Sequence, residues 1–241
     1  ADGKVQDKVS YIQFNGSGPH PERQTHSYIH QLRLVPASIA SSLGLKGDWI
    51  LASDLGDDTI HVLCKQEGSD LQDCPDLMIT LEDGTGPRHM EFNEKANMLY
   101  CISELGGMVY ALKISSSEGK PVFTLVQSLK ADLVDAGGSA DIHMHPSGKF
   151  LYTSHRLVND GIALFNVAED GLLEMAGYFN TGVHPRNFQI TPDGEFMLVA
   201  CRDSYTIDAY TIDPETGALS EGPLGSLEFQ SDQPVCIAFK N

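Results

Sequence analysis

The sequence predicts an all-β fold, a β-propeller of four-stranded antiparallel blades, and three observations predict it. Residues 30–62, 88–114, 140–167 and 186–212 repeat one pattern: an apolar strand, a turn of the Pro/Asp/Gly type, and a second strand with a polar end. The polar ends, Asp54, Glu104, His155 and Arg202, lie 50, 51 and 47 residues apart, the period of a four-stranded blade. No long amphipathic helical pattern interrupts the series, which disfavours parallel-sheet folds.

Taken in order, the chain opens with a β-forming stretch over residues 8–14, read as an outer strand. The first repeat starts at His30 and carries an insertion, Pro36 to Asp48, assigned to a loop, before the strand at Trp49-Ile50-Leu51-Ala52. In the second, Asn93-Glu94-Lys95-Ala96-Asn97 holds the turn position. The third and fourth turn plainly at His145-Pro146-Ser147-Gly148 and Thr191-Pro192-Asp193-Gly194, which marks each as a hairpin. A third strand rich in β-formers follows every pair, at residues 59–63, 108–112, 162–165 and 207–210, and then a less regular fourth. The chain closes on Pro234-Val235-Cys236-Ile237-Ala238-Phe239, read as a lone inner strand.

That inventory makes one domain over residues 1–241, four full blades with part-blades at both ends, about five blades in all. Such a set leaves inner-strand edges and an apolar face uncovered, so roughly two further blades are expected on the N-terminal side. An N-terminal fragment of the same propeller is therefore an expected partner.

The 241 residues include 33 acidic side chains against 16 Lys plus Arg, a formal charge of -17. A field of that sign repels phosphate backbones and anionic headgroups, which argues against nucleic acid and membrane surfaces as partners. An anionic small molecule would need a local basic pocket. Cysteine spacing shows no CxxC and no Cys/His zinc pattern, so no metal or cofactor is expected. Cys101, Cys201 and Cys236 lie in apolar runs and read as buried core. Cys64 and Cys74 flank a polar loop and form a disulfide if the compartment oxidises them. The expected compartment is the cytoplasm, with the periplasm after signal removal as the alternative.

Blade geometry gathers the chemistry. First-strand starts and second-strand ends from every blade converge on one mouth of the central channel. The starts are His30, Arg88, Ala140 and Arg186; the ends carry Asp54, Glu104, His155 with Arg156, and Arg202 with Asp203. A structural repeat would keep these positions alike, whereas here they differ and nearly all ionise, as a small-molecule site requires. Alternative roles stay open at this point. The arginines can tie blades together through loop carbonyls, Glu104 can be their structural partner, His30 can be a satisfied core histidine, and Asp54 can be a turn residue.

Several segments carry a family resemblance: Gly86-Pro87-Arg88-His89, Ser103-Glu104, Ser154-His155-Arg156, His184-Pro185-Arg186-Asn187-Phe188, and the approach Gly16 to Gln24 before His30. Together they resemble the lactonase family of seven-bladed propellers, which includes 6-phosphogluconolactonases and carboxymuconate cyclases. Where members often have His-x-His, this chain has Tyr28-Ile29-His30. The resemblance implies a hydrolase that opens a sugar-acid lactone, 6-phosphoglucono-δ-lactone first, in carbohydrate metabolism. It implies His30, Arg88, Glu104 and Arg156 as the catalytic group, and the convergence of strand ends adds Arg186, His155 and Asp54 as expected substrate-binding residues beside them. On that reading the arginines hold the substrate's anionic group and stabilise negative charge on the lactone oxygen, and either Glu104 or His30 activates water. The alternatives are a lactone-forming cycloisomerase of the carboxymuconate type and a non-catalytic binding propeller.

Overall fold

The structure, a computed structural model, describes residues 10–239. Four antiparallel sheets follow one another along the chain, each a meander whose strands pair in sequence order. The first holds β1 (Ile29–Leu34), β2 (Asp48–Asp54), β3 (Thr59–Lys65) and an outer edge split into β4 (Gln72–Asp73) and β5 (Ile79–Thr80). The second holds β6 (Pro87–Asn93), β7 (Met98–Ser103), β8 (Met108–Ser117) and β9 (Lys120–Lys130). In the third are β10 (Ile142–Met144), β11 (Phe150–His155), β12 (Gly161–Val167) and β13 (Leu173–Asn180). The fourth has β14 (Pro185–Ile190), β15 (Phe196–Cys201), β16 (Thr206–Thr211) and β17 (Gly225–Glu228). These are propeller blades in arrangement, and the predicted first, second and third strands fall within them, except that the third blade's first strand begins at Ile142 rather than at Ala140.

The turns form for the reason the sequence suggested. Gly148 and Gly194 sit at φ +76° and +79°, and each closes its hairpin turn through an N–H to a carbonyl at 2.8 Å, that of His145 and Thr191 respectively. Side chains of an extended strand alternate between faces, so a central strand serves two interfaces at once. On β7, Leu99 and Cys101 pack toward the first blade with Trp49, Leu51, Ile60 and Val62, while Met98, Tyr100 and Ile102 pack toward the third with Leu151, Ala163 and Phe165. Tyr152, Ile162 and Leu164 then meet Phe188, Val199 and Tyr210 of the fourth. Each such buried side chain contributes about 1.5–3 kcal/mol, so the three inter-blade cores hold the blades as one body.

A polar joint recurs near the channel. The Gln31 side-chain oxygen accepts the Met90 N–H at 2.6 Å, Asp141 accepts the Phe188 N–H at 3.2 Å, and Asn187 accepts the Ile237 N–H at 2.7 Å. Each time, the residue after a first-strand start reaches the backbone two residues past the next start. Between the second and third blades the corresponding link is side chain to side chain, His89 Nδ1 donating to Asp141 Oδ1 at 2.6 Å.

Four expectations are corrected. The insertion after β1 is not wholly loop: α1 (Ala37–Leu43) forms there, because Ile39 is fully buried in the first interface while its serines face outward. Of the opening stretch, residues 8 and 9 lie outside the described residues, and residues 10–14 pair with no strand. Residues 234–239 likewise form no strand; Ile237 holds the position of a next first strand through its joint to Asn187, with no second strand beside it. For the same reason Cys236, expected in the core, is exposed, whereas Cys101 and Cys201 are buried. No helix among the described residues is long and apolar enough to cross a membrane.

Candidate active site

Three of the first-strand starts are β-bulges. On β1 the register passes from Ile29 opposite Asp54 to Gln31 opposite Ser53, leaving His30 as the extra residue. Arg88 is skipped in the same way between Pro87 and His89, and Arg186 between Pro185 and Asn187. A bulge takes a residue out of the ladder and re-aims its side chain. The device brings His30, Arg88 and Arg186 out of the alternating pattern at one end of the blades, and sequence alone gave no sign of it.

Glu104, just beyond β7, is the centre of the group. It is 4% exposed, and its backbone N–H is held by the Gly86 carbonyl at 2.7 Å. Its Oε2 accepts from Arg88 Nε at 2.7 Å and lies 3.2 Å from Arg156 Nη2, while Oε1 takes a short bond from Arg23 Nη2. Burial alone would push this carboxyl up, but the charges of Arg156, Arg88 and Arg23 outweigh it and hold the pKa at about 2. Glu104 is therefore a fixed anion and a weak base.

The arginines differ in how they are spent. Arg88, 3% exposed, also donates through Nη1 to the Ala140 carbonyl of the next blade and to His89 Nε2. Arg156 donates to the carbonyls of Gly138 at 2.7 Å and Ser139 at 3.3 Å and to His184 Nε2 at 3.1 Å. Burial lowers its pKa to about 10, with Glu104 opposing the shift, so it stays charged at neutral pH. Arg186 is half-buried and makes no hydrogen bond or ion pair among the described residues. Burial, then the charge of Arg88, pulls its pKa down. Four guanidiniums thus gather about one carboxylate.

His30 is half-buried beside them. Its Nδ1 donates to the Tyr28 carbonyl at 3.0 Å, which fixes the tautomer and leaves the Nε2 lone pair open. Burial lowers its pKa below 6.5, and Arg88 adds to the effect, so the ring is neutral at pH 7.

Two expected site residues are placed elsewhere. His155 is 1% exposed, with Ser139 Oγ at 2.9 Å from Nδ1 and Thr153 Oγ1 at 2.8 Å from Nε2, and burial lowers its pKa to about 4. Both nitrogens are used, so it is a satisfied core histidine. Asp54 is fully buried and accepts the N–H groups of Tyr28 at 2.6 Å and Gly56 at 2.8 Å, together with the Ser27 hydroxyl. Its oxygens organise the loop before His30 and face His61 Nε2 at 3.4 Å. Arg202 and Asp203 pair with each other at 2.7 Å at the surface.

Two features escaped the sequence reading. Arg23 belongs to the non-repeated loop before β1 and has no blade equivalent to mark it. Gln24, 1% exposed, anchors that loop: its Nε2 donates to the Leu55 carbonyl at 2.9 Å and to Asp58 Oδ1 at 2.7 Å. Asp58 also accepts the Gly84 and Gly86 N–H groups, each at 2.7 Å, directly before Arg88. The second feature is a group with metal-binding geometry, Asp54, Asp57 and His61, whose ligand atoms lie within 4.8 Å of one another. Burial would lower the His61 pKa, but Asp54 and Asp57 raise it to about 9. The His61 Nε2 lies 3.4 Å from Asp54 Oδ2 and 3.5 Å from Asp57 Oδ2.

A neutral histidine and an excess of arginine over carboxylate thus stand together at one end of the blades. The chain matches the family described as lactonase, 7-bladed beta-propeller, over residues 1–239, and it belongs to that family. It is 35% identical over 228 residues to a 6-phosphogluconolactonase of Formosa agariphila, covering 92% of this chain and 61% of that protein. Among solved structures it is similar to a candidate 6-phosphogluconolactonase of Bacteroides fragilis (39% identity, TM-score 0.84, 95% of this chain and 62% of that one). It is also similar to the periplasmic gluconolactonase of Pseudomonas aeruginosa (26% identity, TM-score 0.78, 93% of this chain and 60% of that one). The chain spans about three fifths of the length of these relatives.

Proposed function

We propose that this chain carries the catalytic mouth of a hydrolase that opens a sugar-acid lactone, with 6-phosphoglucono-δ-lactone the first substrate. The observation that supports it most is the grouping of Arg23, Arg88, Arg156 and Arg186 about Glu104, with the unprotonated Nε2 of His30 beside them. A surplus of guanidinium in a half-buried site attracts an anionic substrate and favours negative charge developing on it.

The assignment of the base follows from the two environments. Glu104 at about 2 is a poor proton acceptor at neutral pH, whereas His30 is neutral and open at Nε2. His30 takes a proton from water as the oxygen attacks the lactone carbonyl carbon. Arg88 Nη2, which has no acceptor among the described residues, is the donor left to stabilise the resulting oxyanion. The bond from that carbon to the ring oxygen then breaks, and imidazolium returns its proton to the leaving alkoxide. Glu104 holds the arginines in place throughout.

The same reading treats the described residues as part of a single propeller domain of seven blades. Leu32 and Leu34 on β1 are 60% and 57% exposed, and Leu227 on β17 is 61% exposed, apolar faces that further blades of the same ring would cover. The test is hydrolysis of 6-phosphoglucono-δ-lactone above its spontaneous rate by the whole protein, with His30→Ala, Arg88→Ala and Glu104→Gln alongside. Loss of turnover in the variants supports the reading; no turnover by folded wild-type protein overturns it.

A further inference from the structure

We propose that Arg23 is a specificity-determining residue that, with Arg186, reads a phosphate on the substrate. The inference rests on the lactonase reading above and names the part of the substrate that the mouth recognises.

The arginines of the site divide into two kinds. Arg88 and Arg156 are almost fully buried and spend most of their donors on Glu104, on backbone carbonyls and on histidine nitrogens. Arg23 and Arg186 are different. The Arg23 side chain is 44% exposed and spends one nitrogen, Nη2, on Glu104 Oε1; its Nε and Nη1 have no acceptor among the described residues. Arg186 spends none.

Carboxylate cannot compensate this pair. Both oxygens of Glu104 are occupied, Oε1 by Arg23 and Oε2 by Arg88 and Arg156. Arg23 reaches the site from the rim, 44% exposed and bound to Glu104, and Arg186 enters it from the bulge of β14 with no carboxylate of its own. A phosphate monoester carries roughly −1.5 to −2 charges at pH 7 and three acceptor oxygens, which suits two guanidinium forks better than a single carboxylate would.

Arg23 is also held rather than trailing in solvent. Its loop is closed by Gly18 N–H to the Gln24 carbonyl and Gln24 N–H to the His20 carbonyl, each at 3.0 Å, and His20 Nδ1 accepts the Arg23 N–H at 3.2 Å. The buried Gln24 side chain fixes this turn to Asp58, and Asp58 in turn fixes the loop before Arg88. One framework therefore sets the rim arginine against the buried one. A fixed rim cation contributes binding with little ordering cost.

The experiment compares kcat/KM for 6-phosphoglucono-δ-lactone and for unphosphorylated glucono-δ-lactone in the whole protein and in its Arg23→Ala and Arg23→Lys variants. Direct binding of 6-phosphogluconate against gluconate serves as the readout that needs no turnover. Arg23→Ala should lower the phosphorylated-to-unphosphorylated ratio of kcat/KM by about tenfold or more, mainly through KM, with partial recovery in Arg23→Lys. Equal losses on both lactones would mean that Arg23 only supports Glu104, and would overturn the inference. If wild-type protein hydrolyses neither lactone, the lactonase reading fails; the phosphate inference then fails separately only if 6-phosphogluconate binds no better than gluconate or if Arg23→Ala leaves that preference unchanged.

Discussion

Arg88 Nε meets Glu104 Oε2 at 2.7 Å with both side chains almost wholly removed from solvent. An ion pair at this depth costs much to desolvate, and breaking it by removing one partner leaves an uncompensated buried charge. Glu104→Gln should destabilise the protein by about 3–5 kcal/mol, read as the shift in a denaturant midpoint at pH 7. The same pair predicts the acid limb. The folded pKa of Glu104, about 2, lies below its ordinary 4.5, so its contribution is present above pH 4.5 and is lost as pH falls through 2. Wild-type protein should lose more stability over that window than Glu104→Gln does; equal slopes would contradict the assignment.

Activity should depend on His30 with the opposite look. Its pKa is lowered from 6.5, so the base is available at pH 7 and disappears as the ring takes a proton at lower pH. kcat/KM is expected to rise with pH below 6.5 and to level off by neutrality. In His30→Gln the rate should fall by roughly 10²–10⁴-fold and the acid limb should vanish. A limb that persists in the variant assigns it to another group.

Asp58 holds the loop before Arg88 through two glycine N–H groups and the Gln24 amide, each at 2.7 Å. Asp58→Ala strands all three donors in a buried setting and should cost more than about 3 kcal/mol. Asp58→Asn keeps one acceptor oxygen and should fall between the two. Chemical denaturation ranks the three proteins, and an alanine variant as stable as wild type would show that the loop is held by other contacts.

Cys64 and Cys74 place their sulfurs 3.0 Å apart, both half-buried and both as free thiols. Burial and the neighbouring Cys64 raise the Cys74 thiol to about 12, so exchange is slow at neutral pH and quickens on the alkaline side. Oxidised glutathione should join them, the thiols giving up two electrons and two protons. Closing the loop between them should stabilise by about 2–3 kcal/mol. Intact mass and thiol titration after incubation at alkaline pH check the bond; a thiol count unchanged by oxidant would refute it.

Much of this architecture is legible in the sequence because blades repeat. The matched turns at Gly148 and Gly194 fixed two hairpins, and the spacing of Asp54, Glu104, His155 and Arg202 gave the period. Period also gathered His30, Arg88, Glu104, Arg156 and Arg186. It failed where the repeat carries no information. His155 and Arg156 are neighbours, and only packing decides that one is used up by Ser139 and Thr153 while the other reaches Glu104. Arg23 lies in a loop with no counterpart in other blades, so no alignment of repeats could select it. Helix α1 is seven residues long and carries a single buried side chain, too little for a periodic signal.

The recurrent joint from Gln31, Asp141 and Asn187 to the peptide nitrogens of Met90, Phe188 and Ile237 has an asymmetric chemistry: one half is a particular side chain, the other is backbone that any residue but proline supplies. A blade can therefore be copied or exchanged without matching its neighbour's sequence at this contact, needing only an amide or carboxylate one place after its own first-strand start. The residue at the adjacent position is thereby left to the channel end, and it differs from blade to blade as His30, Arg88 and Arg186, while three of the four seams keep the same side-chain-to-backbone contact and the one after Arg88 replaces it with His89 and Asp141.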